Sequence, residues 1–137
     1  MTVIVTDAGF GPDSHSADFV TPETLPANGP APALDLTSDT DPRTLAGRLD
    51  DIPLIRVDFP SFADGRGFSI ARALRRMGYA GRLRAKGHVL ADQYAMARRS
   101  GFDEVEIDDA LATRQPEPQW RARANWQDHD YRSRLAG

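Results

Sequence analysis

Strand-like and helix-like segments alternate from residue 54 onwards, and that alternation limits the fold more than any other feature of the sequence. Residues 54–59, between two prolines, have the alternating apolar pattern of a strand. Residues 67–77 then place apolar side chains at helical spacing, and Gly78 stands where such a helix would end. The alternation continues with a strand pattern at 82–86, a helix pattern at 89–100, a strand pattern at 103–107 and a short helix that Asp108 can cap.

This order predicts an α/β fold with a small parallel sheet built from successive βαβ units. The pattern leaves open whether the sheet is doubly wound or resembles a piece of a barrel. In either geometry ligands bind at the carboxyl ends of the strands. We therefore expect the functional site near residues 58–66, 86–88 and 107–109.

The flanking residues predict less regular structure. Residues 2–6 read as a short strand, whereas 7–40 are rich in proline, glycine and acidic residues and read as mostly irregular. Asp41 followed by Pro42 predicts the start of a short helix that ends at about residue 50. We divide the chain into a strand plus irregular acidic segment (1–41), an α/β core domain (42–112) and a polar tail (113–137), whose tryptophans either dock on the core or leave the tail loose.

Charge is segregated along the sequence, although the net charge is only −3. Residues 1–53 hold nine acidic side chains and two arginines, and residues 100–137 hold eight acidic and five basic ones. Residues 54–99 are the reverse, with nine arginines and one lysine against three aspartates. This predicts a positive core with acidic flanks, which is either a solvated face balanced by its own tails or an anion-binding surface. Nucleic acid is not an expected partner, because the total charge is acidic and no aromatic-rich basic strand or recognition-helix motif is present.

Several classes of chemistry are excluded by composition. The chain has no cysteine, so disulfides, thiolate nucleophiles and cysteine-ligated metal centres are absent, and a redox role would need a bound cofactor or a partner's centre. The three histidines lack metal-ligand spacing, and we expect neither a metal nor a cofactor. There is no basic, apolar leader and no apolar run of membrane-spanning length, so we expect no membrane association and a cytoplasmic location.

The segment Gly65-Arg66-Gly67 lies between a predicted strand and a predicted helix and is the best candidate for an anion site. Unpaired N–H groups and the helix dipole favour an anion at such a junction, and an arginine adds a fixed fork of donors. Asp64 would cap the helix and Ser69 would add a hydroxyl. Ile70 stands where a dinucleotide-binding loop needs a small residue, so we do not expect a nicotinamide cofactor. The structural alternative is a turn in which Arg66 pairs with a neighbouring carboxylate.

Arg82, Arg84 and Lys86 alternate on one face of the next predicted strand, which is unusual because parallel strands are normally apolar on both faces. They could be neutralised by Asp58, by acidic residues of the N-terminal segment or by an external anion. Lys86 and His88 end at the same predicted sheet edge as Arg66, and His88 is the histidine best placed to move a proton. The predicted anion site therefore comprises Asp64, Gly65, Arg66, Gly67, Ser69, Arg84 and Lys86, with His88 as a further candidate and no residue assigned to catalysis.

Four segments also carry a resemblance to a known family. They are Phe62-Ala-Asp-Gly-Arg-Gly-Phe-Ser-Ile-Ala-Arg-Ala-Leu-Arg75, Gly81-Arg-Leu-Arg-Ala-Lys-Gly87, Val89-Leu-Ala-Asp-Gln93 and Arg99-Ser-Gly-Phe-Asp103. In this order they resemble the bacterial domain-of-unknown-function family 934, over roughly residues 53–108. Members are commonly labelled as probable oxidoreductases involved in sulfite reduction. The resemblance implies a soluble cytoplasmic protein that works beside sulfite reductase or the reductase that makes sulfite.

The residues and the resemblance together predict an accessory protein of assimilatory sulfate or sulfite reduction that binds a reductase partner or its small oxyanion. Two alternatives stay open. The first is an oxidoreductase of sulfite reduction with a bound cofactor, and the second is an α/β module that binds a phosphorylated metabolite. A retained cofactor or turnover would indicate the first, and displacement of the ligand by phosphate would indicate the second.

Overall fold

A single mixed sheet organises the structure, which is a computed structural model that describes residues 2–15, 18–26 and 32–127. Within these residues the sheet has seven strands in the order β2-β1-β7-β6-β5-β4-β3. Strands β3 to β7 are parallel to one another, and β1 is antiparallel to both of its neighbours, β7 and β2. The predicted α/β class is confirmed. The strands are β1 Thr2–Thr6, β2 Gly9–Gly11, β3 Phe19–Val20, β4 Ala33–Leu36, β5 Leu54–Phe59, β6 Arg82–Gly87 and β7 Glu104–Asp108. The α-helices of the described residues are α1 Arg66–Arg76, α2 Tyr94–Ser100, α3 Asp109–Arg114 and α4 Glu117–Arg121.

The βαβ core follows the sequence pattern closely. Each predicted strand and helix between residues 54 and 108 is present, and Asp108 caps α3 by accepting a hydrogen bond from the backbone N–H of Leu111. Two details differ. The predicted helix at 42–50 is a pair of 3₁₀ turns, Pro42–Leu45 and Leu49–Asp51, because Gly47 takes a left-handed φ of 83° between them. The predicted helix at 89–100 begins with the 3₁₀ turn Ala91–Gln93.

The segment 7–40 contains three strands where the sequence suggested mostly irregular structure. β4 is the most important of them, because it pairs in parallel with β5 and so joins the segment before residue 41 to the sheet of the α/β core. It is only four residues long, too short to show a period in sequence, and its pairing and the burial of Leu34 and Leu36 stabilise it. Strand propensity depends on such neighbours, which a local pattern does not contain.

The parallel strands β3 to β7 lie in the sheet in the same order as in the chain. Right-handed crossovers that always step in one direction place their helices on one face of the sheet, and α1 and α2 indeed pack against each other. The sheet is therefore singly wound and open, which resolves the choice left by the sequence in favour of a barrel-like segment over a doubly wound sheet. Its helix-covered face is apolar and includes Leu34, Leu36, Ile55, Val57, Phe59, Leu83, Ala85 and Val105.

The opposite face of the sheet carries an ion-pair network. Arg84 is fully buried, and its guanidinium donates to Asp13, Glu104 and Glu106 at 2.6 to 3.1 Å. Arg56 forks onto Asp35 and also donates to Glu106. Arg82 forks onto Glu104, and the Phe19 ring lies 3.6 Å from the Arg56 guanidinium carbon. Carboxylates from both acidic flanks of the sequence thus neutralise three arginines of its basic centre, Arg56, Arg82 and Arg84.

The C-terminal residues that the structure describes are docked on the core. Trp120 is 1% exposed and donates its indole N–H to the carbonyl oxygen of Gln115. Glu117 of α4 accepts a hydrogen bond from the backbone N–H of Phe10 at 2.7 Å, so α4 is fixed to β2. Trp126 donates to the Asp7 carboxylate at 3.2 Å. Of the two alternatives for the tail, docking through the tryptophans is the one observed up to residue 127. No helix among the described residues is long and apolar enough to cross a membrane.

Substitution of Arg84 tests the role of the ion-pair network. Arg84→Met removes the central cation and leaves the buried carboxylates Glu104 and Glu106 with fewer partners. Breaking a buried ion pair from one side costs about 3–5 kcal/mol, so we expect a loss of that size in the free energy of unfolding, measured by urea denaturation. Arg72→Met, at an exposed position of α1, is the matched control and should change it by less than about 0.5 kcal/mol. Equal effects of both substitutions would contradict this role.

Candidate functional site

A cleft of about 580 Å³ lies beside the amino-terminal half of α1 and the loop that follows β4. Because β4 is parallel to its neighbours, this loop leaves the carboxyl edge of the sheet, where ligands bind in open parallel sheets. The cleft is lined by Ser38, Asp39, Thr40, Asp41, Pro42, Arg43, Arg66, Ser69, Ile70 and Ala73.

One wall is a stripe of α1. Arg66, Ser69, Ile70 and Ala73 recur at helical spacing and therefore share a face of the helix. Arg66 is the first residue of α1. Ser69 and Ile70 lie one turn after it, and Ala73 lies two turns after it. Ser69 has no hydrogen-bond partner for its hydroxyl among the described residues.

The other wall is the segment 38–43. Asp41 caps the 3₁₀ turn that begins at Pro42 and also receives a fork of hydrogen bonds from the Arg43 guanidinium. Asp39 accepts a hydrogen bond from the Thr37 hydroxyl. Each charged side chain on this wall therefore has a fixed local partner, which holds the loop in shape.

Arg66 joins the two walls. Its Nε and Nη2 donate to the Asp64 carboxylate at 3.0 and 2.8 Å, and Nη2 also donates to the Ser38 hydroxyl at 2.8 Å. The side chain is 60% exposed, and Nη1 has no partner among the residues that the structure describes. The guanidinium is thus oriented by Asp64 and Ser38 while one of its terminal nitrogens stays available as a donor.

The carboxylates of the site are held in their ionised form. The Arg66 guanidinium and backbone N–H hydrogen-bond to Asp64 and hold the pKa of that carboxyl well below its ordinary value. The Thr37 hydroxyl lowers the pKa of Asp39, and the Arg43 side chain lowers the pKa of Asp41. None of the three is therefore a proton donor near neutral pH.

The glycines of the predicted loop have different roles. Gly65, with an ordinary negative φ, is the N-cap residue of α1, so the prediction that Asp64 caps the helix is wrong, although Asp64 accepts a hydrogen bond from the backbone N–H of Arg66. Gly67 is required by packing, since a Cβ at this position would lie 2.5 Å from the Phe59 ring. The absence of a side chain at residue 67 thus allows the close approach of α1 to β5.

The structure brings together five of the predicted site residues, Asp64 to Gly67 and Ser69, and separates them from Arg84 and Lys86. By register, Arg84 and Lys86 point to the face of the sheet opposite α1. The Nε, Nη1 and Nη2 atoms of Arg84 all donate to carboxylates, so Arg84 belongs to the ion-pair network. Asp58, acidic residues of the N-terminal segment and an external anion were the three expected partners of Arg84. The N-terminal segment provides one of its carboxylates, Asp13.

His88 lies at the carboxyl edge of the sheet but does not line the cleft. Its Nδ1 is 3.1 Å from the carbonyl oxygen of Phe59, and its ring makes an edge contact with Phe62. The side chain is exposed. These contacts position the imidazole outside the lining of the cleft.

The sequence does not predict that residues 38–43 form part of the site. The one available signal is Asp41-Pro42, which by itself predicts only the start of a helix. What brings this segment next to Arg66 is the pairing of β4 with β5. No local pattern in residues 38–43 indicates that pairing.

The cleft therefore offers oriented hydrogen-bond donors beside the apolar side chains of Ile70, Ala73 and Pro42. Its described lining contains no histidine, lysine or glutamate, and the described residues hold no group of three or more metal-ligating side chains placed to bind an ion. Binding of an anion or a polar group is the chemistry that these side chains support.

Comparison with known proteins adds one finding. A family model for bacterial proteins of unknown function matches residues 33–135 of the 137, which includes β4, the cleft and the whole βαβ core. No curated protein and no solved structure matches the chain.

The Asp64 carboxyl provides a test of the Arg66 geometry. Its pKa in the folded protein lies below the ordinary value of 3.8. The hydrogen-bonded pair of Asp64 and Arg66 therefore stabilises the folded state at pH values above 3.8, and this stability is lost as the pH falls through the folded-state pKa. Arg66→Ala removes the side-chain hydrogen bonds and keeps the backbone one, so the pKa of Asp64 should rise towards 3.8 without reaching it. Carboxyl ¹³C NMR titration measures this. A pKa that is unchanged in Arg66→Ala would show that the guanidinium does not hold the carboxylate.

Proposed function

The chain belongs to the family Bacterial protein of unknown function (DUF934), and from that premise we propose that it is an accessory protein of assimilatory sulfate or sulfite reduction that binds a sulfur oxyanion beside Arg66. The pathway in this proposal rests on the label commonly carried by proteins that the core segments resemble. The binding role rests on the cleft. We further propose that the protein acts in the cytoplasm beside a reductase that supplies the redox centre.

The observation that carries the binding role is the state of Arg66. A guanidinium whose Nε and Nη2 are already fixed by Asp64 and Ser38 needs little further ordering when Nη1 receives a ligand. The side chain is exposed on the cleft, and the Ser69 hydroxyl stands one helical turn away. Oxyanions accept hydrogen bonds from such charged, planar donors at short distances.

An accessory role is favoured over an independent reductase by the residues themselves. The chain has no cysteine, so no thiol of its own can carry electrons. The lowered pKa values of Asp39 and Asp41 keep both carboxylates ionised, and neither can protonate a bound oxyanion near neutral pH. Binding and presentation of the anion are the steps that this cleft can perform.

Calorimetric titration with sulfite and with sulfate tests the binding site. Loss of a hydrogen bond from a charged group costs about 1.5–3 kcal/mol, so Arg66→Ala should weaken oxyanion binding by about tenfold or more. Arg66→Lys keeps the charge without the fork and should recover only part of the affinity. Arg72→Ala, which removes an exposed arginine of the same helix outside the cleft, should leave the affinity unchanged.

Two outcomes would contradict the binding role. One is the same affinity in the wild type and in Arg66→Ala. The other is tight binding of inorganic phosphate that sulfite and sulfate do not displace, which would favour the module for a phosphorylated metabolite.

The partner in this proposal is tested by purification of the tagged protein from cells grown on sulfate, followed by an absorption spectrum of the eluate. We expect a haem- or flavin-bearing reductase to co-purify with the wild type and with Arg72→Ala. Less of it should be recovered with Arg66→Ala if the oxyanion links the two proteins. A colourless eluate that contains the tagged protein alone would count against a reductase partner.

A further inference from the structure

The cleft is much larger than a single inorganic oxyanion requires. Its volume of about 580 Å³ falls within the range of about 300–1,000 Å³ that is typical of sites for organic molecules. An oxyanion held at Arg66 would leave most of this space to water. The part of the cleft beyond Arg66 therefore indicates what else the ligand carries.

That part of the cleft is apolar. Ile70 and Ala73 continue the α1 stripe away from Arg66, and Pro42 is the apolar residue in the lining of the other wall. Ala73 is seven positions after Arg66, which corresponds to about 10 Å along the helix axis. A ligand that uses the whole stripe has a charged head at one end and an apolar body that extends about 10 Å towards the other.

The charges of the lining select among anionic heads. Arg43 and Arg66 are each paired with an aspartate, Asp41 and Asp64, and Asp39 adds a further carboxylate. All three aspartates are held ionised by their partners. Three carboxylates against two guanidinium groups leave these side chains with one net negative charge, so the attraction for an anionic head comes from the directed N–H donors. A head with one negative charge meets less repulsion from these carboxylates than a head with two.

We propose that the cleft binds an amphipathic organic monoanion, a sulfonate or carboxylate head on an apolar body of about 10 Å. The head is held by Nη1 of Arg66 and the Ser69 hydroxyl, and the body lies on Ile70, Ala73 and Pro42. This inference rests on the proposed function in one respect, that an anion binds at Arg66. It adds the chemical class of a ligand that uses the whole cleft, and such a ligand should bind more tightly than inorganic oxyanions or than phosphate monoesters, which carry two charges near neutral pH.

A series of four compounds tests the two halves of the ligand separately on the wild-type protein. Hexanesulfonate has both the head and the body, methanesulfonate has the head with almost no body, 1-hexanol has the body alone, and hexyl phosphate has the same body with a doubly charged head at pH 7.5. Burial of each additional CH₂ group favours binding, so we expect hexanesulfonate to bind at least tenfold more tightly than methanesulfonate. Hexyl phosphate and 1-hexanol should each bind at least fivefold more weakly than hexanesulfonate. Affinities come from calorimetry, and amide NMR shifts of residues 66–73 locate the ligand.

Two substitutions place the ligand along α1. Ala73→Glu puts a carboxylate beside the apolar side chains of Ile70 and Pro42. It should weaken the binding of hexanesulfonate by at least tenfold and change the binding of methanesulfonate by less than twofold. Ala80→Glu makes the same change at an exposed position outside the cleft and should affect neither compound. Arg66→Ala should weaken both sulfonates.

The outcomes separate this inference from the proposed function. Equal binding of hexanesulfonate and methanesulfonate, with both lost in Arg66→Ala, would overturn the amphipathic ligand and leave oxyanion binding intact. Tighter binding of hexyl phosphate than of hexanesulfonate would overturn the preference for one charge. Absence of binding by every anion in the series, including sulfite and sulfate, would overturn both. The comparison of the four compounds needs no variant, so it stands even if Ala73→Glu does not fold.

Discussion

The buried guanidinium of Arg84 is the interaction on which the rest of the structure depends. In a singly wound sheet the crossover helices cover one face, and here the other face carries the charged side chains of β5, β6 and β7. Arg84 at its centre is satisfied only because Glu104 and Glu106 come from β7 and Asp13 from the N-terminal segment. A charge taken out of water without such partners costs several kcal/mol, so this strand arrangement and these carboxylates have to occur together.

The same pairing of acidic flanks with a basic centre fixes the position of β4 and, through it, the cleft. Asp35 of β4 receives the fork of Arg56 from β5, which holds the two strands in register. The loop that leaves β4 is thereby placed against α1, where Ser38 accepts a hydrogen bond from Arg66. The ion pair between Asp35 and Arg56 thus helps to hold one wall of the candidate site in place. Arg66 of the other wall keeps Nη1 available as a donor for a ligand.

Much of the βαβ core could be predicted from sequence, since strands and helices of five or more residues carry their own period and stop signals, as Gly78 after α1 does. The pairing of Arg66 with a neighbouring carboxylate, which was the structural alternative for this loop, was also predictable, because Asp64 lies two residues before Arg66. The wall formed by residues 38–43 was not, and neither was the separation of Arg84 from Arg66. Both follow from which strand lies beside which and from the face to which each side chain points.

The sequence by itself determined the α/β class, the order of the core elements, the segregation of charge and the local pairing of Asp64 with Arg66, because each of these depends on residues close together in the chain. Only the tertiary structure decided that the sheet is singly wound, that residues 9–36 supply three of its strands and that Trp120 is buried in its core. Those outcomes depend on hydrogen bonds and ion pairs between distant segments. Their free energy exists only when the partners meet, so it leaves no local pattern in either segment.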